Sequence, residues 1–251
     1  MLKDTIMERE PFDMRELFIG DRNLFNEVLR NRETIFVYDI DGILANSTKV
    51  VYRKFTEKTG IFANPTEINN FHYLTNLAKN ANLSEEMVMH AEDDWYDSKV
   101  LDLAQKFLYI TPVVNKTLSF YGRDRNFVLT SRNPDLKEST LDWFSRKYPE
   151  FNPNNILIRD NHNIDPADFK VDSLRILSKN VPWVVFIDDS VDFIGAVLAD
   201  GIKNCLVINI PQGKVMPGFE HEHLILIKRY PENLQAMYPF MYVVDKALDS
   251  K

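Results

Sequence analysis

The stretch Ile35–Leu44, which reads IFVYDIDGIL, decides the fold of this chain. Its first four residues, Ile35–Tyr38, form the continuous apolar run of a strand buried on both faces. Asp39 and Asp41 follow at once, and Gly42 lets the backbone turn out of the sheet. Residues two apart on an extended backbone point the same way. We therefore expect both carboxylates to serve one site at the carboxyl end of the strand, where open α/β sheets bind ligands.

Short apolar runs alternate with segments of helical period along the rest of the chain, which is typical of βαβ units. The predicted strands are Ile35–Tyr38, Phe127–Leu129, Ile156–Ile158, Val184–Ile187 and Cys205–Ile210. Asn133 is a candidate cap of a helix whose first turn suits Pro134. A further helix is expected to begin near Phe169. The pattern predicts the α/β class, with a Rossmann-like parallel sheet as its core.

The interval between the first two predicted strands is far longer than the dozen or so residues that a simple crossover needs. We therefore expect an inserted, mainly helical cap at 45–115, within a core made of 34–44 and 116–251. One helix of the cap is predicted to follow Ser84 and to continue through 84–104. Residues 1–33 are predicted to form a helical segment packed on the core.

The composition is that of an ordinary soluble protein, with 251 residues of which 45% are apolar and 27% charged. The formal charge of −7 argues against an extended nucleic-acid surface, because such surfaces draw on Lys and Arg. Cys205 is the only cysteine, so no internal disulfide is expected. No run approaches the ~20 apolar residues that span a bilayer, and the first residues lack a secretory signal. These features predict a cytoplasmic protein without a membrane partner.

Polar side chains also follow the later predicted strands. Thr130 and Ser131 end the second strand in FVLTSR, and Asp188 and Asp189 end the fourth in VVFIDDS. Lys170 lies near the start of the helix before that fourth strand. Each residue alone has an ordinary explanation, as a cap, a loop acid or a solvated lysine. Their shared position at one sheet edge instead indicates a site, and clustered carboxylates need a cation or a shared proton to offset their repulsion.

The ordered set resembles the four motifs of the haloacid dehalogenase-like hydrolases: DxDGxL, an apolar run ending in Ser or Thr, a lysine, and an acidic pair closing a strand. The resemblance covers Thr34 to about Ile210. The superfamily places helical caps between its first two motifs, where the insertion is predicted here. Its phosphatases have a second aspartate like Asp41, whereas its dehalogenases and P-type ATPases do not. The resemblance therefore implies a phosphatase, and a weaker likeness to 5'-nucleotidases and deoxyribonucleotidases makes a nucleotide the preferred substrate.

The resemblance also implies catalytic roles. Asp39 would attack phosphorus, and Asp41 would protonate the leaving oxygen and then activate water. Thr130 would hydrogen-bond the transferring phosphoryl group, while Lys170 would screen its charge and that of the nucleophile. Weaker candidates for the lysine are Lys137 and Lys179.

The same resemblance implies a bound Mg²⁺ and a phosphate-binding role for Ser131 and Arg132. Asp188 and Asp189 are close alternatives for the direct metal ligand. The residues expected to hold the metal are Asp39, Asp41 through its main-chain carbonyl, Asp188 and Asp189.

We thus expect a magnesium-dependent phosphatase that hydrolyses a small phosphomonoester through an aspartyl-phosphate intermediate. Two alternatives stay open at this point. One is a phosphotransferase that passes the phosphoryl group to a second alcohol, and the other is a non-catalytic binding or regulatory protein on the same fold. The C-terminal segment Pro231–Lys251 is predicted to pack on the core, with an oligomer contact as its second interpretation.

Overall fold

The computed structural model describes residues 18–64, 67–68, 72–212 and 217–227, together with positions 244 and 248. In this part of the chain, the strands form a single mixed sheet with the order β1-β7-β6-β5-β2-β3-β4. The strands are β1 (Phe18–Ile19), β2 (Ile35–Tyr38), β3 (Asn126–Thr130), β4 (Ile156–Ile158), β5 (Val184–Asp188), β6 (Cys205–Asn209) and β7 (Leu224–Ile227). Neighbouring strands are parallel except that β1 is antiparallel to β7.

Helices lie between the strands, as the alternating pattern predicted. They are α1 (Arg22–Arg30), α2 (Ser47–Thr59), α3 (Tyr73–Asn80), α4 (Glu85–Met89), α5 (Ser98–Leu103), α6 (Thr111–Tyr121), α7 (Lys137–Lys147), α8 (Pro166–Ser178) and α9 (Val191–Asp200). Every residue of β2, β5 and β6 is buried, because parallel strands covered by helices on both faces meet no water. The α/β class and the five predicted strands are confirmed.

Two strands were not predicted. β7 has the sequence LILI and pairs in parallel with β6, whereas β1 is two residues long and pairs with β7. A strand of two residues shows no period, and a run of four apolar residues is compatible with several structures. Only the pairing with β6 makes the segment a strand.

Helix boundaries differ from the predicted ones where a capping side chain was misjudged. The helix expected near Phe169 begins at Pro166, because Asp165 accepts hydrogen bonds from the main-chain amides of the next turn. The single helix predicted over 84–104 is wrong. Ser84 caps only the short α4, and Asp97 caps the separate helix α5 by accepting from the amide of Lys99.

The segment between β2 and β3 contains α2 to α6. Ala45, near its start, forms bridges with Asp41 and with Lys106, which lies between α5 and α6. Its helices share one apolar cluster with the sheet and with α7, where Trp143 donates a hydrogen bond to the carbonyl of Ala104. The predicted cap falls in this segment, and its limits at 45 and 115 stay a prediction.

The terminal segments are described only in part. Helix α1 buries Phe25, Val28 and Leu29, as its apolar face predicted. Val244 and Leu248 are buried, and the remainder of Pro231–Lys251 lies outside the described residues, as do residues 1–17. Among the described helices, none is long and apolar enough to cross a bilayer.

Candidate active site

The parallel register places two aspartates side by side at the carboxyl edge of the sheet. Tyr38, the last residue of β2, pairs with Ile187 of β5, so the next residues on the two strands are Asp39 and Asp188. The amide of Asp39 donates to the carbonyl of Ile187 at 2.9 Å, which extends this pairing by one residue. Both carboxylates are buried, Asp188 completely. Two acids separated by 149 positions therefore meet at the centre of the sheet.

Lys170 of α8 joins these two carboxylates. Its Nζ lies 2.8 Å from Asp39 Oδ1 and 2.6 Å from Asp188 Oδ2, and its side chain is fully buried. The ring of Phe193 covers the ammonium group at 4.2 Å. Among the three lysines considered from the sequence, Lys170 is thus the one that the structure brings to Asp39.

The electrostatics of this cluster follow from its burial. Burial raises the pKa of Asp39 well above its ordinary value, and the ammonium of Lys170 acts against that rise. Burial alone would lower the pKa of Lys170, but Asp188 and Asp39 raise it above the ordinary value. Lys170 is therefore a permanent cation at neutral pH, fixed between two buried acids.

Asp189 completes the acidic group. One carboxylate oxygen from each of Asp39, Asp188 and Asp189 lies within 4.8 Å of the others. Gln212 Nε2 donates to Asp189 Oδ2 at 2.5 Å and orients that carboxylate. Gly42 passes directly over this contact with a φ of +78°, and a Cβ there would stand 2.3 Å from Asp189 Oδ2. Glycine is required at position 42 both for its backbone angle and for this close approach.

The polar residues at the end of β3 lie at the same edge of the sheet, and one of them contacts Asp41. Thr130 ends the strand and is buried, and its Oγ1 accepts a hydrogen bond from the amide of Arg132 at 3.3 Å. Ser131 is half-buried. Arg132 binds Asp41 in a bidentate manner, with Nε 2.7 Å from Oδ2 and Nη2 3.1 Å from Oδ1. Its third nitrogen, Nη1, is buried and has no hydrogen-bond partner among the residues that the structure describes.

The pairing with Arg132 determines the charge of Asp41. Burial would raise the pKa of Asp41, but the guanidinium of Arg132 more than offsets this and holds the pKa below its ordinary value. Asp41 is thus a carboxylate at neutral pH. The structure brings Arg132 to this acid, a contact that the sequence did not indicate.

Sequence reasoning missed three further polar residues around the site. Ser47 begins α2, is fully buried and contributes to the low pKa of Asp41. Gln212 orients Asp189, and Asn209 donates from Nδ2 to the main-chain carbonyl of Asp188 at 3.1 Å. Asn209 was detectable, because it is a polar residue at the end of a buried strand. Ser47 and Gln212 lie in segments whose sequence carries no comparable signal.

The donor set fits a hard divalent cation. Three carboxylates face a single ammonium group, so the cluster has an excess of negative charge in a buried place. Mg²⁺ prefers oxygen ligands and is bound through carboxylates. Lys170 engages one oxygen of Asp39 and one of Asp188, and the second oxygen of Asp39 is left for another cation. These residues therefore suit a divalent cation bound through oxygen ligands.

No family model matches the chain, and no curated protein matches it either. Several solved structures do match the chain. One, from Bacteroides vulgatus and named after beta-phosphoglucomutase, is 13% identical, with a TM-score of 0.50 over 92% of this chain and 100% of its own. A haloacid dehalogenase-like family hydrolase from Streptococcus pneumoniae is 16% identical, with a TM-score of 0.47 over 70% of this chain and 84% of its own.

A third structure, from Haemophilus somnus and named after phosphoglycolate phosphatase, is 15% identical, with a TM-score of 0.48 over 75% of this chain and 89% of its own. At sequence identities this low, the similarity to these structures shows only that the folds are alike. The likeness at a TM-score of 0.50 extends over nearly the whole of both chains. This chain therefore shares its fold with the structure named after beta-phosphoglucomutase.

Proposed function

We propose that this chain is a phosphatase that hydrolyses small phosphomonoesters through a phosphorylated Asp39. One observation carries the proposal: Asp39 meets Lys170, Asp188 and Asp189 in a buried cluster at the carboxyl edge of the sheet. Phosphoryl transfer needs an aligned oxygen nucleophile together with fixed positive charge, and this cluster contains both. A network of ion pairs that only stabilised the fold would need neither an excess of acids nor a position at the carboxyl edge of the sheet.

Asp39 is suited to attack phosphorus as a carboxylate, the form that the ammonium of Lys170 favours and that burial disfavours. Its Oδ1 accepts a hydrogen bond from Lys170, which fixes the orientation of the carboxylate. A carboxylate needs no base to act as a nucleophile. The ammonium of Lys170 would offset the negative charge that the phosphate brings, and the hydroxyl of Thr130 would donate to a phosphoryl oxygen.

Mg²⁺ would be held by Asp39, Asp188, Asp189 and the main-chain carbonyl of Asp41. When bound, it offsets the negative charge of the phosphate and of the acidic cluster. The main chain orients one of these acids, since the amide of Ser190 donates to Asp188 Oδ1 at 2.8 Å and so fixes that carboxylate.

The role of Asp41 depends on Arg132. The ion pair between them favours the carboxylate form of Asp41, which suits the second step, where Asp41 accepts a proton from the attacking water. The first step requires a proton on Asp41. We propose that Arg132 turns from Asp41 to a phosphate oxygen when substrate binds, because its free Nη1 and its planar fork suit bidentate phosphate binding.

The segment at 45–115 is proposed as a cap that selects the substrate. Its helix α2 begins at the catalytic turn, and the buried Ser47 of that helix lies near Asp41. A movement of α2 would therefore change the surroundings of Asp41, the proposed acid and base. The preference for a nucleotide rests on the weaker resemblance described above.

We expect turnover to depend on a divalent metal. Dialysis against EDTA should abolish the release of orthophosphate from p-nitrophenyl phosphate, and Mg²⁺ should restore it, because a phosphate dianion must approach three clustered acids. Release of orthophosphate in the absence of any divalent metal would contradict the proposal. Adding a competing alcohol to the same assay distinguishes a phosphatase from a phosphotransferase, since only the latter forms a new ester.

We expect Asp41→Asn to damage the hydrolysis of alkyl phosphates more than that of p-nitrophenyl phosphate. The nitrophenolate group leaves without needing a proton, so loss of the acid affects its first step less. Phosphorylated Asp39 should accumulate with the activated ester, because water then lacks its base. Acid quench followed by mass spectrometry measures it. Equal losses on both esters, without a trapped intermediate, would show that Asp41 has a structural role.

A further inference from the structure

A cavity whose lining lacks the acidic cluster lies between the beginning of α2, the segment 103–109 and the end of α7. We call it the α2–α7 groove. Its volume is about 950 Å³, at the upper end of the range typical of small-molecule sites. Its lining includes none of the residues that converge on Asp39. The groove therefore offers a place where a ligand of nucleotide size fits without entering the catalytic site.

The walls of the α2–α7 groove are basic, although the chain as a whole has a net charge of −7. In the part of the chain that the structure describes, Glu150 is the one acid that lines it. The cations that line it are Lys49, Arg53, Lys106, Arg146 and Lys147. They belong to three separate segments of the chain, which the fold brings to one cavity. Such a local excess of positive charge attracts anions.

Most of these cations are not neutralised by acids. Within the described residues, Lys49 forms no ion pair, and Arg53 lies 3.7 Å from an exposed Glu57, a contact of little strength. Lys106 lies over the ring of Tyr148 and Lys147 contacts an amide, so both keep their full charge. Arg146 alone is paired with two aspartates.

The helix dipole accounts for only part of this charge. Cations are favoured in the last turn of a helix, where Arg146 and Lys147 lie in α7. Lys49 lies in the first turn of α2, where a cation is disfavoured and an acid would be expected. No acid is present in that turn. The position of Lys49 therefore needs another explanation, and an anionic ligand supplies one.

Apolar side chains complete the groove. Leu108 and Leu103 line it and are 68% and 49% exposed, which is a high exposure for leucine. Tyr109 lies beside them with its ring half-buried. A ligand with both a flat organic part and several negative charges would match this lining, because an aromatic ring can stack on Tyr109 while the cations hold the charges.

We infer that the α2–α7 groove binds a nucleoside polyphosphate at a site distinct from the catalytic one. The terminal phosphate of such a ligand carries about −1.5 to −2 charges and each inner phosphate carries about one more, so two or three phosphates in a row match the cations on the two walls. Lys49 and Arg53 bind from α2, and Lys147 binds from α7. The inference is independent of the proposed phosphatase activity, because it concerns binding at other residues.

Isothermal titration calorimetry of the full chain with ATP, in EDTA and without added divalent metal, tests this inference. The wild type should bind with a Kd below about 1 mM, and the variant carrying Lys49→Ala and Arg53→Ala should bind at least about tenfold more weakly, which corresponds to about 1.4 kcal/mol. Both side chains are exposed, so the variant is expected to fold, and circular dichroism checks that it does. Lys147→Ala on the opposite wall provides a second, independent variant.

Two control variants test whether a loss of affinity for ATP is specific to the groove. Replacing two exposed lysines outside the groove, Lys179→Ala and Lys203→Ala, makes the same charge change and should leave the Kd within about twofold. The active-site variant Arg132→Gln should also keep its affinity for ATP. The inference is overturned if the wild type does not bind ATP, or if the control variant at Lys179 and Lys203 loses as much affinity as the groove variants. It is also overturned if only Arg132→Gln loses affinity, since the ATP would then occupy the catalytic site.

Discussion

Asp39→Asn is expected to abolish turnover and to leave the fold intact. The amide is nearly isosteric with the carboxylate but is a very poor nucleophile, so a loss of at least ~10²-fold is expected, as for other key catalytic groups. Burial already disfavours a charge on Asp39, so a neutral side chain at this position should be tolerated by the fold. Steady-state release of orthophosphate from p-nitrophenyl phosphate measures turnover, and the urea midpoint measures the stability.

Asp124→Asn is the matched control for this variant. Asp124 is exposed and precedes β3, so it lies near the amino end of the sheet, opposite Asp39. It undergoes the same change of carboxylate to amide and should keep full activity. Turnover of Asp39→Asn within about tenfold of the wild type would remove Asp39 from its role as nucleophile, because losses of a nucleophile are far larger.

Lys170→Met is expected to impair both turnover and stability. The substitution keeps an unbranched side chain of similar length but leaves Asp39 and Asp188 buried without their counter-charge. Removing one partner of a buried ion pair typically costs ~3–5 kcal/mol in the free energy of unfolding. Turnover should also fall, since Oδ1 of Asp39 loses the contact that orients it. Urea unfolding and the same phosphatase assay measure the two effects.

Lys179→Met, just after the end of the same helix, provides the comparison. Lys179 is exposed, so its replacement should change the free energy of unfolding by no more than ~0.5 kcal/mol. Turnover of Lys170→Met has to be measured at a temperature where circular dichroism shows the variant folded, which separates lost chemistry from lost structure. If the folded variant is as active as the wild type, the charge of Lys170 serves structure alone.

The sequence was most informative where a signal is local. Five strands of the sheet were predicted because an apolar run flanked by turn residues is recognisable within a few positions. The polar residues that end those runs were found for the same reason, since the carboxyl ends of parallel strands share one edge. The helix over 84–104 was mispredicted, because Asp97 caps a separate helix in a region whose composition also suits a continuous helix.

The contacts within the site were harder to predict because they join distant residues. Lys170 and Asp39 are 131 positions apart, and Arg132 and Asp41 are 91 apart. Sequence reasoning selected Lys170 by its order in the chain and assigned Arg132 to phosphate. That Arg132 binds Asp41 follows only from how the turn after β3 lies against the turn after β2.

The sequence by itself determined that this chain forms an α/β sheet and that acids, hydroxyls and a lysine lie near the carboxyl ends of its strands, because period and strand order are properties of short segments. Only the tertiary structure decided which side chains touch: the burial of Lys170 between two acids, the pairing of Asp41 with Arg132, the addition of β7 to the sheet, and the α2–α7 groove built from three segments. Contacts of this kind depend on how whole elements pack, and packing depends on side chains far apart in the chain.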